Sequence, residues 1–302
     1  MNTKTKTSGA INYILAFISG AVISVMVVCN TELGLRTSNN VSIAVNQFVG
    51  ILTLTAIMVA GRGNKTINPT RQSAPLWRWF GGLFGLFILT INYFSVKEIG
   101  ATISMASAVL GQCIMGVVFD LTGFMGMEKR KLSTRKILSL VVSFAGILLM
   151  LVFSGKNDLG EVVLFAFLSI ISGALTMTQM VCNSGFAKLK GPFFSARQNV
   201  ISGLAGIVLF MLLFNARESA AALKGLADLN LFQIVSGGML GCVVVVSANI
   251  VIPKIPGAAS SILMSAGQIM TAVLLDFFLY SMLDTPMIIG SVLMIAGIMI
   301  AD

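Results

Sequence analysis

The chain has 302 residues, of which 56% are hydrophobic and only 10% are charged, and its mean hydropathy is +0.95. Because a soluble domain carries about 25% charged residues, this composition excludes an ordinary soluble domain and indicates a protein whose solvent is lipid. The net charge of +9 does not predict a nucleic-acid partner, because the basic residues fall in loops between apolar runs.

Ten apolar runs follow one another along the chain with short polar breaks between them. Each is near the length of about 20 residues that a helix needs to cross a hydrocarbon core of roughly 30 Å. Helices are expected, because an apolar helix satisfies its own backbone and the runs lack the alternation of a barrel strand. The sequence therefore predicts an all-α polytopic membrane protein with spans at 11–29, 41–60, 77–95, 100–119, 136–154, 162–182, 193–214, 232–252, 257–279 and 286–300.

Lysine and arginine are concentrated in alternate loops, which sets the expected orientation. One side receives the N-terminus and the basic loops 62–78, 129–136 and 188–190. The other side receives only five basic residues, namely Arg36, Lys97, Lys156, Arg217 and Lys224. No cleavable signal peptide is evident before the first span. The pattern predicts a multi-pass membrane protein with both termini in the cytoplasm.

The two halves of the chain resemble each other. The stretch "ISGA" at 18–21 returns at 171–174, Cys29-Asn30 returns as Cys182-Asn183, and "NQFVG" at 46–50 returns as "NVISG" at 199–203, each 153 residues later. Toward the end of each half the offset grows to 156 or 157, which loop insertions explain. The sequence therefore predicts two five-helix repeats, 1–155 and 156–302.

Five is an odd number of spans, so the second repeat should enter the membrane upside down relative to the first. Charge placement agrees, because loop 129–136 is basic whereas its counterpart, 280–286, contains no lysine or arginine. Inverted repeats are typical of secondary transporters, whose substrate site lies near the bilayer midplane between the repeats. The pattern alone thus favours a transporter.

Residues 75–149 contain a Trp followed by Gly-Gly-x-x-Gly, a Gly-Ala that opens the next helix, and then Gly-Gln with an Asp eight residues on. With "LGLRTSNNVSIAVNQFVG" at 33–50, this segment resembles the YdcZ family of the drug/metabolite transporter superfamily. The resemblance implies an inner-membrane transporter of ten helices, expected to act in efflux by alternating access on a small-molecule substrate. Many members of the family carry one five-helix unit per chain and are expected to pair, whereas this chain resembles two such units fused. A homodimer of the fused chain is a further expectation that stays open.

Six amide side chains recur at equivalent positions within the apolar spans, and they are the candidate substrate-binding residues: Asn46, Asn92, Gln112, Asn199, Asn249 and Gln268. Each half supplies three of them, and rocking of the halves would expose them to one side at a time. The alternative is that these amides hydrogen-bond across helix contacts, an interaction worth on average about 0.6 kcal/mol in a membrane protein.

Three charged residues near span ends are candidates for a coupling or charge role. Asp120 and Asp276 close their helices, where contact with a loop competes with proton transfer. Arg197 lies about one turn into the seventh span, where it either snorkels to the headgroups or attracts an anion. Residues 11–29 contain no acid, in contrast to the small multidrug-resistance relatives, so proton-coupled cation export through the first helix is not expected.

No enzymatic chemistry, cofactor or metal is expected. The chain has no histidine, and its four cysteines lie within or at the ends of apolar spans, where small packing residues are the usual interpretation. A converging nucleophile and base are not found in the spans. The favoured function is transport of a small polar or amphipathic metabolite, and a passive channel or a non-transporting scaffold is the alternative.

Overall fold

The computed structural model describes residues 3–61, 73–123, 129, 131, 133–153, 158–251, 257–280 and 285–300. Every regular element within these ranges is a helix. The helices are α1 (Thr3–Arg36), α2 (Asn39–Val59), α3 (Gly82–Thr122), α4 (Thr134–Val152), α5 (Leu159–Lys190), α6 (Pro192–Phe214), α7 (Ala216–Ala222), α8 (Leu231–Val251), α9 (Gly257–Leu275) and α10 (Thr285–Ile300). Short 3-10 helices cover Leu76–Phe80 and Leu223–Asp228, and a π-helical turn, Asp276–Tyr280, follows α9.

Eight helical segments of the described chain are long and apolar enough to cross a membrane. A further apolar helix, α10, has 16 residues. The prediction of an all-helical polytopic membrane protein is confirmed. One long segment, Leu76–Thr122, contains two of the predicted spans. The arrangement as ten spans in two inverted repeats stays a prediction, and residues 62–72 and 281–284, in two loops used to predict it, lie outside the described residues.

Glycine 100 divides α3 into two segments. Its backbone has φ 82° and ψ 166°, which is not helical. A side chain is strongly disfavoured in this conformation, so glycine is the residue that can turn the chain between two helices here. The break falls at the predicted junction between the third and fourth spans, 77–95 and 100–119.

Helices α1 and α5 are longer than the spans predicted from hydropathy. The predicted spans ended at residues 29 and 182, before a polar asparagine in each case, whereas the helices continue to Arg36 and Lys190. The asparagines Asn30 and Asn183 are buried within the protein and hydrogen-bonded there. A polar residue that finds a partner in the protein does not end a helix.

The chain forms two compact units. The first unit contains Met1–Val25, Phe94–Met177 and Val251–Asp302, and the second contains Met26–Tyr93 and Thr178–Ile250. Each unit therefore combines segments from both predicted repeats. The long helices α1, α3 and α5 each contribute one part to each unit.

Helix backbones in the first unit touch directly at glycines. A Cβ added to Gly20 would collide with the carbonyl oxygen of Met264, and one added to Gly173 would collide with that of Ala108. These two contacts join equivalent positions of the two repeats with the partners exchanged. Small residues permit such approach where no hydrophobic force drives helices together in lipid.

A second pair of contacts in the first unit obeys the same relation. Gly111 touches the carbonyl of Ile170, and Gly267 touches the carbonyl of Phe17. The recurrence of these close contacts at matching positions shows that the sequence repeat is also a repeat of helix packing.

Candidate functional site

Two pairs of hydrogen-bonded asparagines lie in the second unit. Asn46 donates from Nδ2 to Asn30 Oδ1 at 2.9 Å, and Asn183 donates from Nδ2 to Asn199 Oδ1 at 3.1 Å. All four side chains are buried. Asn183 and Asn199 lie 153 residues after Asn30 and Asn46, so the internal repeat produces the same pair twice.

Serine hydroxyls fix the helices that carry the two pairs. Ser42 Oγ, on α2, donates to the backbone oxygen of Asn30 at 2.6 Å. Ser195 Oγ, on α6, donates to the backbone oxygen of Asn183 at 2.8 Å. Because a carbonyl oxygen can accept a second hydrogen bond, each serine ties two neighbouring helices together at the asparagine.

Glycines bring a third helix against each pair. A Cβ on Gly81 would lie 2.7 Å from Asn183 Oδ1, and a Cβ on Gly237 would collide with Asn30 Oδ1. Any side chain at these glycines would displace an asparagine. The residues preceding α3 and the first turns of α8 can therefore reach the amides only because these positions carry no side chain.

The asparagine pair of the second repeat has a further amide beside it. Gln179 Nε2 donates to Asn199 Oδ1 at 3.2 Å and to the carbonyl of Gly81 at 3.1 Å. The equivalent position in the first repeat is Met26, which has no amide. A Cβ on Gly85 would lie 3.2 Å from Gln179 Nε2 and 3.6 Å from Gln47 Nε2, so two glutamines border this glycine.

The four predicted asparagines all lie in the second unit, and each side chain is 7% exposed. Asn92 lines a small cavity between α1, α2 and the first segment of α3. Asn249 donates from Nδ2 to the carbonyl of Pro192 at 3.2 Å. Asn46 and Asn199 belong to the two asparagine pairs described above.

The two predicted glutamines lie in the first unit and differ from each other. Gln268 is buried, donates from Nε2 to Met105 Sδ at 3.3 Å, and accepts at its backbone oxygen from Ser24 Oγ at 2.6 Å. Gln112 is half-buried, and its side chain makes no hydrogen bond with another described residue. The four predicted asparagines thus belong to the second unit and the two predicted glutamines to the first.

The carboxylate of Asp276 accepts hydrogen bonds from the backbone just after the break in α3. Its Oδ1 accepts from Ala101 N at 2.9 Å and its Oδ2 accepts from Thr102 N at 2.6 Å. These are N–H groups of the first turn of the segment that follows Gly100, where a helix leaves its donors unpaired. With a side chain only 1% exposed, Asp276 acts as a cap supplied by another helix.

The other two charged candidates have different surroundings. Asp120 is partly exposed and forms an ion pair with Lys136, at the start of α4. Arg197 is half-buried, and its guanidinium lies 5.8 Å from the ring centre of Phe194, one turn earlier on α6. Phe194 also contacts Trp79, at 6.0 Å between ring centres. The guanidinium is therefore held over an aromatic cluster of the second unit.

The amides of the second unit that were not predicted as site residues include Asn30, Gln47, Gln179 and Asn183. A signal for two of them was present in the repeat of Cys29-Asn30 as Cys182-Asn183. The two glutamines gave no such signal, because their counterparts 153 residues away are Val200 and Met26. Only the packing of helices around Gly85 brings them together.

Comparison with known proteins gives a family match over both halves. The model of a family described as "Putative inner membrane exporter, YdcZ" matches residues 11–149 and again residues 164–300. No curated protein matches the chain. Among 22 matching chains of solved structures, one titled "Crystal structure of protein" has a TM-score of 0.61 at 16% identity. That match covers 95% of this chain and 97% of the other, so the two share a fold.

Proposed function

The chain belongs to the YdcZ family of inner membrane exporters, and from that premise we propose that it is a secondary transporter that exports a small polar or amphipathic metabolite. It works by alternating access between two inverted five-helix repeats, 1–155 and 156–302. Both termini lie in the cytoplasm, as the distribution of basic loops predicts. The duplication that this mechanism needs is supported by the family match to each half.

The substrate is held by amides. The candidates are Asn46, Asn92, Gln112, Asn199, Asn249 and Gln268, and the observation that carries the proposal is the repeated asparagine pair at equivalent positions of the two repeats. Burying an amide is costly without a partner, so a chain that buries several in apolar helices has a use for them. Neutral amides offer both donors and acceptors, which suits an uncharged polar group.

The charged candidates divide by their contacts. Asp276 holds the second segment of α3 in place through two backbone bonds and serves the fold. Asp120 is the candidate for a coupling role, because its side chain is partly exposed and pairs with Lys136. Arg197 attracts anionic groups to the aromatic cluster around Phe194.

The first prediction concerns binding and flux. The purified full chain is screened against neutral, cationic and anionic metabolites for a rise in apparent melting temperature, since a compound that binds the native state stabilises it. A stabilising compound is then followed in proteoliposomes. We expect saturable uptake that accelerates when unlabelled compound is present on the opposite side.

The variants Gln112→Leu, Gln268→Leu and Asn46→Leu should each reduce that flux at least several-fold in protein that still folds. The control is Gln233→Leu, which removes an amide at the start of α8 whose Oε1 accepts from Asn230 N. Flux that neither saturates nor exchanges would show a passive channel. Unchanged flux in all three amide variants would refute the assignment of the site.

A further inference from the structure

A small cavity lies in the second unit between α1, α2 and the first segment of α3. It leaves about 10 Å³ in which the centre of a water molecule fits, which is room for one water. Polar side chains make up most of its lining, namely Asn30, Thr31, Asn39, Ser42, Asn92 and Tyr93. None of the residues that line it is charged. The cavity therefore has the size and the polarity that an internal water requires.

The side-chain donor of Asn30, in this lining, has no partner among the described residues. Asn30 is 8% exposed, and its Oδ1 accepts from Asn46, but its Nδ2 has no hydrogen-bond partner among the described residues. A buried N–H group left without an acceptor is destabilising, and native proteins commonly supply an ordered water in its place. The unsatisfied atom is a donor, so the ligand that it selects is an acceptor.

In the second repeat the equivalent amide donors bond directly to other protein groups. Asn183, the counterpart of Asn30, donates from Nδ2 to Asn199 Oδ1. Asn249, the counterpart of Asn92, donates from Nδ2 to the backbone oxygen of Pro192. Pro192 is at the position equivalent to Asn39 of the first repeat. In the second repeat a direct bond thus uses the donor that, in the first repeat, Asn30 leaves without a partner among the described residues.

We propose that this cavity is a binding site for one neutral hydrogen-bond acceptor, and that a water molecule occupies it in the resting protein. The water accepts from Asn30 Nδ2. Asn39 donates from Nδ2 to Thr90 Oγ1 at 3.2 Å, and in this proposal its side-chain oxygen, Oδ1, accepts a hydrogen bond from the water. The water thereby links α1 to α2. The first repeat thus uses a water-mediated contact where the second uses direct hydrogen bonds.

The test is radiolytic labelling of the purified full chain in ¹⁸O-water, because hydroxyl radicals formed from a bound water oxidise the side chains beside it. Ile43 lines the cavity and is 2% exposed, whereas Leu54, on the same helix, is 0% exposed and does not line it. We expect Ile43 to be oxidised several-fold faster than Leu54. Equal, background-level labelling of the two residues would overturn the proposal.

A pair of matched variants tests the site independently of bulk exposure. Asn92→Leu replaces a polar lining group by an apolar one of similar size, and it should abolish the excess labelling of Ile43. Asn249→Leu makes the same change at the equivalent position of the second repeat and should leave that labelling unchanged. If Asn92→Leu does not fold, the comparison of Ile43 with Leu54 in the unaltered chain tests the proposal. Equal losses of the Ile43 labelling in both variants would contradict a site in the first repeat.

Discussion

An asparagine in an apolar helix needs a partner, and this chain supplies one by repeating the residue on a neighbouring helix. In the second repeat Asn199 Oδ1 receives two donors, from Asn183 and Gln179. In the first repeat Asn30 Oδ1 receives one, from Asn46. The equivalent contact therefore receives one more donor in the second repeat than in the first, so the two similar halves differ in their polar contacts.

A double-mutant cycle measures the bond between Asn183 and Asn199. Leucine at each position singly and together should give a coupling energy of about 0.6 kcal/mol, with about 1.7 kcal/mol as the upper end for such bonds in membrane proteins. The measurement is reversible unfolding in mixed micelles. A cycle between Asn183 and Gln233, which form no hydrogen bond with each other in the described part of the chain, is the control and should give a coupling near zero. Equal coupling in both cycles would contradict a specific pair.

The amides that the sequence could reveal were those that the repeat preserves. Asn46 and Asn199 stand out because both copies keep an amide at that position. Gln47 and Gln179 could not be found in this way, since Val200 and Met26 replace them in the other copy. Nor does a sequence state which amides share a cluster, because that depends on helix packing between segments far apart in the chain.

At the scale of the helices, the break in α3 depends on two residues with separate duties. Gly100 supplies a backbone conformation with φ 82°, and Asp276 supplies acceptors for the N–H groups that the break leaves unpaired. The sequence predicted two spans on either side of this glycine. It did not predict the cap, because Asp276 lies 175 positions from Ala101 and closes its own helix.

Replacement of Gly100 by alanine should lower the stability by about 1–3 kcal/mol, since a side chain is strained in that backbone conformation. Its Cβ would also lie 3.3 Å from Asp276 Oδ2. Gly116→Ala is the control, because a Cβ there meets only Met177 Cε at 3.8 Å and alanine favours the helix. The readout is the apparent melting temperature of purified protein. Equal melting temperatures for the two variants would show that the break tolerates a side chain.

Hydropathy located the helices but not their ends. It stopped the first and sixth spans at an asparagine, yet α1 and α5 run on to Arg36 and Lys190. A hydropathy window treats each polar residue as facing water or lipid. It has no means of recognising that Asn30 and Asn183 face other amides, so it ends the helix too early.

At the scale of the whole molecule, the proposed inversion makes a direct prediction about equivalent loops. Thr37, between α1 and α2, and Lys190, at the end of α5, are one repeat apart. If the second repeat is inverted, they lie on opposite sides of the membrane. Single cysteines, Thr37→Cys and Lys190→Cys, are placed in a background whose four native cysteines are replaced, and a membrane-impermeant maleimide is applied to intact cells.

We expect Thr37→Cys to be labelled in intact cells and Lys190→Cys to be labelled only after permeabilisation. The unmodified cysteine-free background is the control for non-specific reaction, and a permeabilised sample shows that each cysteine can react. Labelling of both positions from the same side would rule out inversion, even though the duplication itself would stand.

The cap at the break in α3 also bears on biosynthesis. Ala101 and Thr102 emerge from the ribosome long before Asp276, and their N–H groups must await an acceptor that is made 175 and 174 residues later. The first unit consequently cannot reach its final hydrogen bonding while the chain is still being translated through its first half. Its completion requires Asp276, which follows α9, so a nascent chain halted before that residue lacks the acceptor for these two N–H groups.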